Sequence, residues 1–122
     1  MSTAKNQPFL ARFRFARAGL AHALATESSL RLQVTALGAA LIVLAVFRPE
    51  PLWWALVFLA SGAVITAELI NTAVEVLADH LHPDTHASIR IVKDCAAAAV
   101  LVASIIAIAV GVSLGVHLCL TH

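Results

Sequence analysis

Charge is scarce in this chain. Of its 122 residues only 12% are Asp, Glu, Lys or Arg, against about a quarter in an average soluble domain. Apolar residues make up 61%, and the mean hydropathy is +0.92. So few polar groups cannot cover a globule of this size, which excludes a soluble monomer. Disorder is excluded too, since it needs low hydrophobicity and high net charge, and the net charge here is +1. That near-neutral balance leaves no electrostatic footprint for a nucleic acid. Five glycines and four prolines are too few for a collagen-like or low-complexity chain. Two cysteines are too few for a disulfide scaffold. Cys95 and Cys119 would stand about 36 Å apart in a continuous helix, too far to bridge within one chain. There is no G-x-x-x-x-G-K-[ST], no soluble-kinase catalytic loop, no G-x-S-x-G and no H-E-x-x-H. What remains is an integral membrane protein of one small domain, residues 1–122.

Three apolar runs stand out: Val34 to Phe47, Leu52 to Ala67, and Cys95 to Val116. A span needs about twenty apolar residues. The third run suffices alone. The first suffices if Leu30 to Gln33 joins it, with Arg31 snorkelling to the interface. The second suffices only by continuing past Ala67, where Glu68, Asn71 and Glu75 begin, so this helix carries acids into or near the membrane. Arg48-Pro49-Glu50-Pro51 predicts a tight non-helical link between the first two, followed by Trp53 and Trp54 suited to an interfacial belt. Pro83 should break the chain between the second and third. The expected fold is all-α, with membrane helices over about 30–47, 52–79 and 94–118.

Before them, Phe9, Phe13, Ala16, Leu20 and Leu24 recur at helical spacing, with Arg12, Arg14 and Arg17 off that stripe. Residues 9–26 therefore read as an amphipathic helix on the membrane surface. No small-residue cleavage site follows the first apolar run, so a signal peptide is not expected. Lys5, Arg12, Arg14, Arg17 and Arg31 precede or begin the first span. Only Arg48 lies in the first loop, Arg90 and Lys93 lie in the second, and the tail has no Lys or Arg. This pattern predicts a cytoplasmic N-terminus and second loop, with the C-terminus outside.

At about 100° per residue, Glu68, Asn71, Thr72, Glu75 and Asp79 fall within roughly 100° of arc. One face thus carries three carboxylates, an amide and a hydroxyl. Ionisable groups at membrane depth are costly and mark sites. An ordinary solvated continuation of the helix would account for Asp79, but poorly for Glu68. Clustered carboxylates repel unless a cation joins them, and hard oxygen donors suit Mg²⁺, which takes one or two carboxylates and leaves the rest to substrate phosphates. Glu27, just before the first span, is a further candidate ligand. Lys93 and Asp94 place a cation and an acid at the mouth of the third helix, where Lys93 could meet phosphate oxygens or simply anchor the interface. His80, His82 and His86 match no zinc spacing. Gly111 and Gly115 could form a helix-packing face.

Glu68-Leu69-Ile70-Asn71-Thr72-Ala73-Val74-Glu75 with Asp79, followed by Lys93-Asp94-Cys95-Ala96, resembles the signature of the prokaryotic diacylglycerol kinases, small three-span lipid kinases unrelated to soluble kinases. Phe15-Ala16-Arg17-Ala18-Gly19-Leu20 and the Glu27/Arg31 pair match that family's N-terminal half. The resemblance covers about residues 12–118. It implies a homotrimer in the bacterial cytoplasmic (inner) membrane, with Mg²⁺-ATP as donor and a membrane lipid alcohol as acceptor. It implies Glu68 as catalytic base at the lipid hydroxyl, Glu27 and Glu75 as metal ligands that also serve ATP, and Asn71 as their support. It places Asp84, His86, Lys93 and Asp94 at the nucleotide and Arg31 in the lipid site. Gln33 and Ala97 stand where the enterobacterial type has an acid and a serine. Phe15 replaces a tyrosine, and Ala87, Ile89 and Ile91 replace polar loop residues. The expected acceptor is diacylglycerol. Undecaprenol, used by Gram-positive members, is the near alternative, and a cation-conducting, non-enzymatic oligomer is the distant one.

Overall fold

The computed structural model describes residues 8–84 and 86–122. Lys5, one of the residues in the orientation count, lies outside them. Four helices follow one another: α1 Phe9–Thr26, α2 Ser28–Phe47, α3 Pro51–Leu81 and α4 Ala87–Thr121. There is no strand among the described residues. Helices α2, α3 and α4 are each long and apolar enough to cross a membrane, as the three runs predict. This is a multi-pass membrane protein.

Each boundary has a local cause. Arg48 ends α2 in the left-handed region (φ 49°, ψ 55°), and its N–H donates to the Leu44 carbonyl at 2.8 Å. Pro49 disfavours a further helical residue before it. Pro51 then opens α3 at a first-turn position where the missing N–H is harmless. At the far end His82 caps α3, and Pro83 prevents its extension. Helix α4 starts at Ala87, about two turns before the expected 94. His86 caps it, Nδ1 accepting from the Ser88 N–H at 3.2 Å, and nothing between Ala87 and Asp94 breaks a helix. Glu27 alone separates α1 from α2. Its backbone is extended, and its N–H donates to the Ala23 carbonyl at 2.8 Å.

Helices α3 and α4 pack along most of their length, α2 leans on α3, and α1 touches both α2 and α3 lightly. The apolar core sits at the Arg48 end. There Leu44, Val57, Leu114 and Leu118 are buried, with Leu37, Leu41, Val110 and both tryptophans packed around them. Helix α1 has the predicted bounds, but only Ala23 on it is buried, and Phe9, Phe13 and Leu20 remain exposed. Among the described residues, little covers its apolar stripe apart from a partial burial of Leu24. Ile105, Ile106, Ile108 and Val112 on α4 are likewise uncovered. Gly111 and Gly115 seat no helix of this chain, since a Cβ on either meets nothing within 4 Å. Cys95 and Cys119 are free.

With α3 and α4 at 31 and 35 residues, each is longer than the roughly 20 residues that cross about 30 Å of hydrocarbon. Measured from Pro51, Glu68 lies about 26 Å along the axis and Glu75 about 36 Å. A span of about 30 Å counted from Pro51 would end between these two acids.

Candidate active site at the open end of the bundle

The acidic face of α3 begins in the interior. Glu68 is 4% exposed and Thr72 7%. Thr72 Oγ1 donates to the Glu68 carbonyl oxygen at 2.9 Å, a bond within its own helix, so the Glu68 carboxylate is not consumed by it. Asn71 is half-buried. Its Nδ2 donates to Glu75 Oε1 at 3.5 Å, and its Oδ1 is buried with no partner. An orphaned buried carbonyl oxygen is unusual and marks the spot where a cation or an incoming donor would be satisfied.

The second acid comes from a different element. Glu27 stands half-buried at the joint of α1 and α2, and its side chain makes no capping hydrogen bond to the α2 backbone. The charges of both Glu27 and Glu75 act on Glu68, so carboxylates from two elements share one electrostatic neighbourhood. Among the described residues no three His, Cys, Asp or Glu side chains are close enough to form a complete metal cage. The donors at hand, two outer carboxylates and an unpartnered amide oxygen, are all hard oxygens, which suits an ion that leaves most of its coordination to phosphate and water.

Beyond Glu75 the face meets α4. Lys93 Nζ pairs with Asp79 Oδ1 at 2.8 Å, and the charge of Glu75 also reaches Lys93. One turn past Glu75, Asp79 opens onto a cleft of about 300 Å³ lined also by His82, Pro83, Asp84, His86, Ile89, Arg90, Lys93 and Asp94. Asp84, His86, Lys93 and Asp94, assigned to the nucleotide by resemblance, all line this one cleft. Arg31 lies apart from it. Its Nη1 donates to the carbonyls of Leu24 and Ala25 at 2.7 and 3.2 Å, closing the C-terminal end of α1 and holding the joint that carries Glu27. Its remaining donors are not engaged by any hydrogen bond among the described residues.

Residues 14–114 match the family described as prokaryotic diacylglycerol kinase. The chain belongs to that family. A diacylglycerol kinase from Synechocystis sp. is 40% identical over 104 residues, which are 84% of this chain and 59% of that relative. An undecaprenol kinase from Bacillus subtilis is 30% identical over 103 residues, 84% of each chain. This chain thus spans somewhat more than half the length of the first relative and most of the second.

Three features of the site escape a reading of the family's pattern. Asp79 is the partner of Lys93, although fourteen residues separate them. Arg90 lines the cleft between α3 and α4. His82 faces His86 there, ring centroids 5.9 Å apart. Spacing within α4 could have flagged Arg90, which stands one turn before both Lys93 and Asp94 on the same helix face.

Proposed function

We propose that this chain is a lipid kinase that transfers the γ-phosphoryl group of Mg²⁺-ATP to the primary hydroxyl of diacylglycerol, giving phosphatidate and ADP. The observation that carries this reading is the buried Glu68 on the α3 face that also carries Asn71, Glu75 and Asp79, with Asp79 paired to Lys93 across an open cleft. A base at membrane depth can meet a hydroxyl presented by a lipid, while a cleft beyond the boundary can meet a water-soluble nucleotide.

Phosphoryl transfer depends chiefly on positioning and charge neutralisation. Glu68 accepts the proton of the lipid hydroxyl as its oxygen attacks phosphorus. Glu27 and Glu75 would hold the metal, with Asn71 aligning Glu75 through its amide. When bound there, Mg²⁺ neutralises phosphate charge. Lys93, held at the cleft wall by Asp79, takes up part of the remaining charge, and Asp84, His86 and Asp94 complete the nucleotide's surroundings. Arg31 secures the α1–α2 joint beside the lipid path.

A groove of about 770 Å³ between α1 and α3 supports a lipid acceptor. Leu20, Ala23, Leu69, Ala73, Val76 and Leu77 line it, and Thr72 brings it beside the buried acids. Helix α1 lies on the membrane surface with its uncovered stripe in lipid. The uncovered apolar faces of α4 suit a homotrimer in a bacterial inner membrane. The distribution of basic residues supports a cytoplasmic N-terminus and loop 80–92. A reporter fused at residue 122 should read as external, and a cytoplasmic signal would overturn that orientation.

The deciding experiment uses purified protein in mixed micelles with labelled Mg²⁺-ATP and either diacylglycerol or undecaprenol. Faster labelling of diacylglycerol is expected. Faster labelling of undecaprenol would move the chain to the second reading, which the 30% identity to an undecaprenol kinase favours. No labelled lipid from either would overturn the kinase reading and return the acidic face to a non-enzymatic role.

A further inference from the structure

We propose that Arg90 is a phosphate-binding residue of the nucleotide cleft, a role that rests on the reading of that cleft as the ATP site. The cleft presents three acids, Asp79, Asp84 and Asp94, and two cations, Lys93 and Arg90. A polyphosphate entering it must meet charged donors, because the carboxylates alone repel it. Lys93 is already committed in part. Its ammonium lies 2.8 Å from Asp79 and also feels Glu75. Arg90 forms no ion pair and donates no side-chain hydrogen bond among the described residues. Without it, three carboxylates would face one shared ammonium.

Position strengthens the case. Arg90 is the fourth residue of α4. A cation in a helix's first turn opposes the helix dipole, so Arg90 is not there to stabilise α4. The same field favours an anion, and Arg90 shares a face with Lys93 and Asp94 one turn on. Its planar fork can engage two phosphate oxygens at once, which a lysine cannot.

The test compares wild type, Arg90→Gln and Arg90→Lys in mixed micelles at saturating lipid acceptor, with Mg²⁺-ATP varied. Arg90→Lys keeps the loop charge that orients the chain in the membrane. Losing a charge-assisted contact should raise KM for Mg²⁺-ATP roughly tenfold in Arg90→Gln, with kcat within about twofold and the acceptor's KM unchanged. Arg90→Lys should fall between the two. ADP should inhibit the Gln variant less well than wild type, while adenosine, which lacks phosphate, should act equally on both. Wild-type KM in both variants overturns the Arg90 assignment and leaves the kinase reading intact. So does a lower kcat at unchanged KM, the mark of a merely structural role. Wild-type protein that transfers no phosphate from Mg²⁺-ATP overturns the reading of the cleft itself.

Discussion

At the Arg48 end of the bundle, Leu44, Val57, Leu114 and Leu118 close against one another and two tryptophans, and the nearby Glu50 reaches His117 only at 3.8 Å. At the opposite end, Glu68 and Thr72 are interior, Asn71 leaves a buried oxygen unpartnered, and a cleft stands open between α3 and α4. The difference separates two uses of burial. In lipid, apolar side chains gain little by leaving an equally apolar solvent, so the closed end is held by close packing. The open end keeps polar groups that packing alone would reject, and such groups persist at membrane depth where they do work.

Substitutions that affect the two ends differently sharpen this contrast. The largest loss is expected for Glu75→Gln, which removes the charge proposed to hold the metal and alters the Asn71 contact. A lost metal interaction of several kcal/mol corresponds to about 10³-fold or more in rate. Initial rates across a Mg²⁺ series should show partial rescue by excess metal, and near-normal turnover would remove Glu75 from the site. Next comes Glu68→Gln, which keeps the shape but cannot accept a proton. The kcat should fall by about 10² to 10⁴-fold, with little change in KM for Mg²⁺-ATP, since the contact matters in the transition state. A sharp rise in that KM would recast Glu68 as a ligand. Stability should hold or rise, because a buried acid becomes a neutral amide.

The closed end should respond the other way. Leu44→Ala opens a cavity at a fully buried position. Its transfer term is small in lipid, leaving a loss of about 1–3 kcal/mol from the cavity. Unfolding measured in detergent should show the loss, while kcat per folded molecule stays near wild type. A Leu44→Ala protein that is stable yet inactive would break the separation of the two ends. The smallest effect is expected for Asp79→Asn. The Lys93–Asp79 pair is solvent-facing, with side chains 37% and 65% exposed, and such exposed pairs contribute little to stability. Thermal unfolding should hardly shift, and less still at high salt.

Much of this was legible in advance. The bounds of α1, the link at Arg48 to Pro51 and the break at Pro83 follow from periodicity and proline stereochemistry, both local. The acidic face was legible because a helix's own geometry aligns Glu68, Asn71, Thr72, Glu75 and Asp79. The early start of α4 was not, because hydropathy marks where a helix becomes apolar and not where its backbone begins to wind, and His86 caps it well before Asp94. Arg31 shows a different limit. Its charge suggested an interface or lipid role, while its guanidinium is bound to two carbonyls of the preceding helix, contacts that depend on how α1 turns into α2.

By itself, then, the sequence determined an all-helical membrane chain with three spans and an acid-bearing second span, because scarcity of charge and the 3.6-residue period act within each segment. Only the tertiary structure decided that the charge of Glu27 at the α1–α2 joint acts on Glu68, that Lys93 takes Asp79 as its partner, and that Arg90 shares the cleft of that pair. Those encounters depend on how the helices are joined and packed against one another. No periodicity within a single helix specifies that.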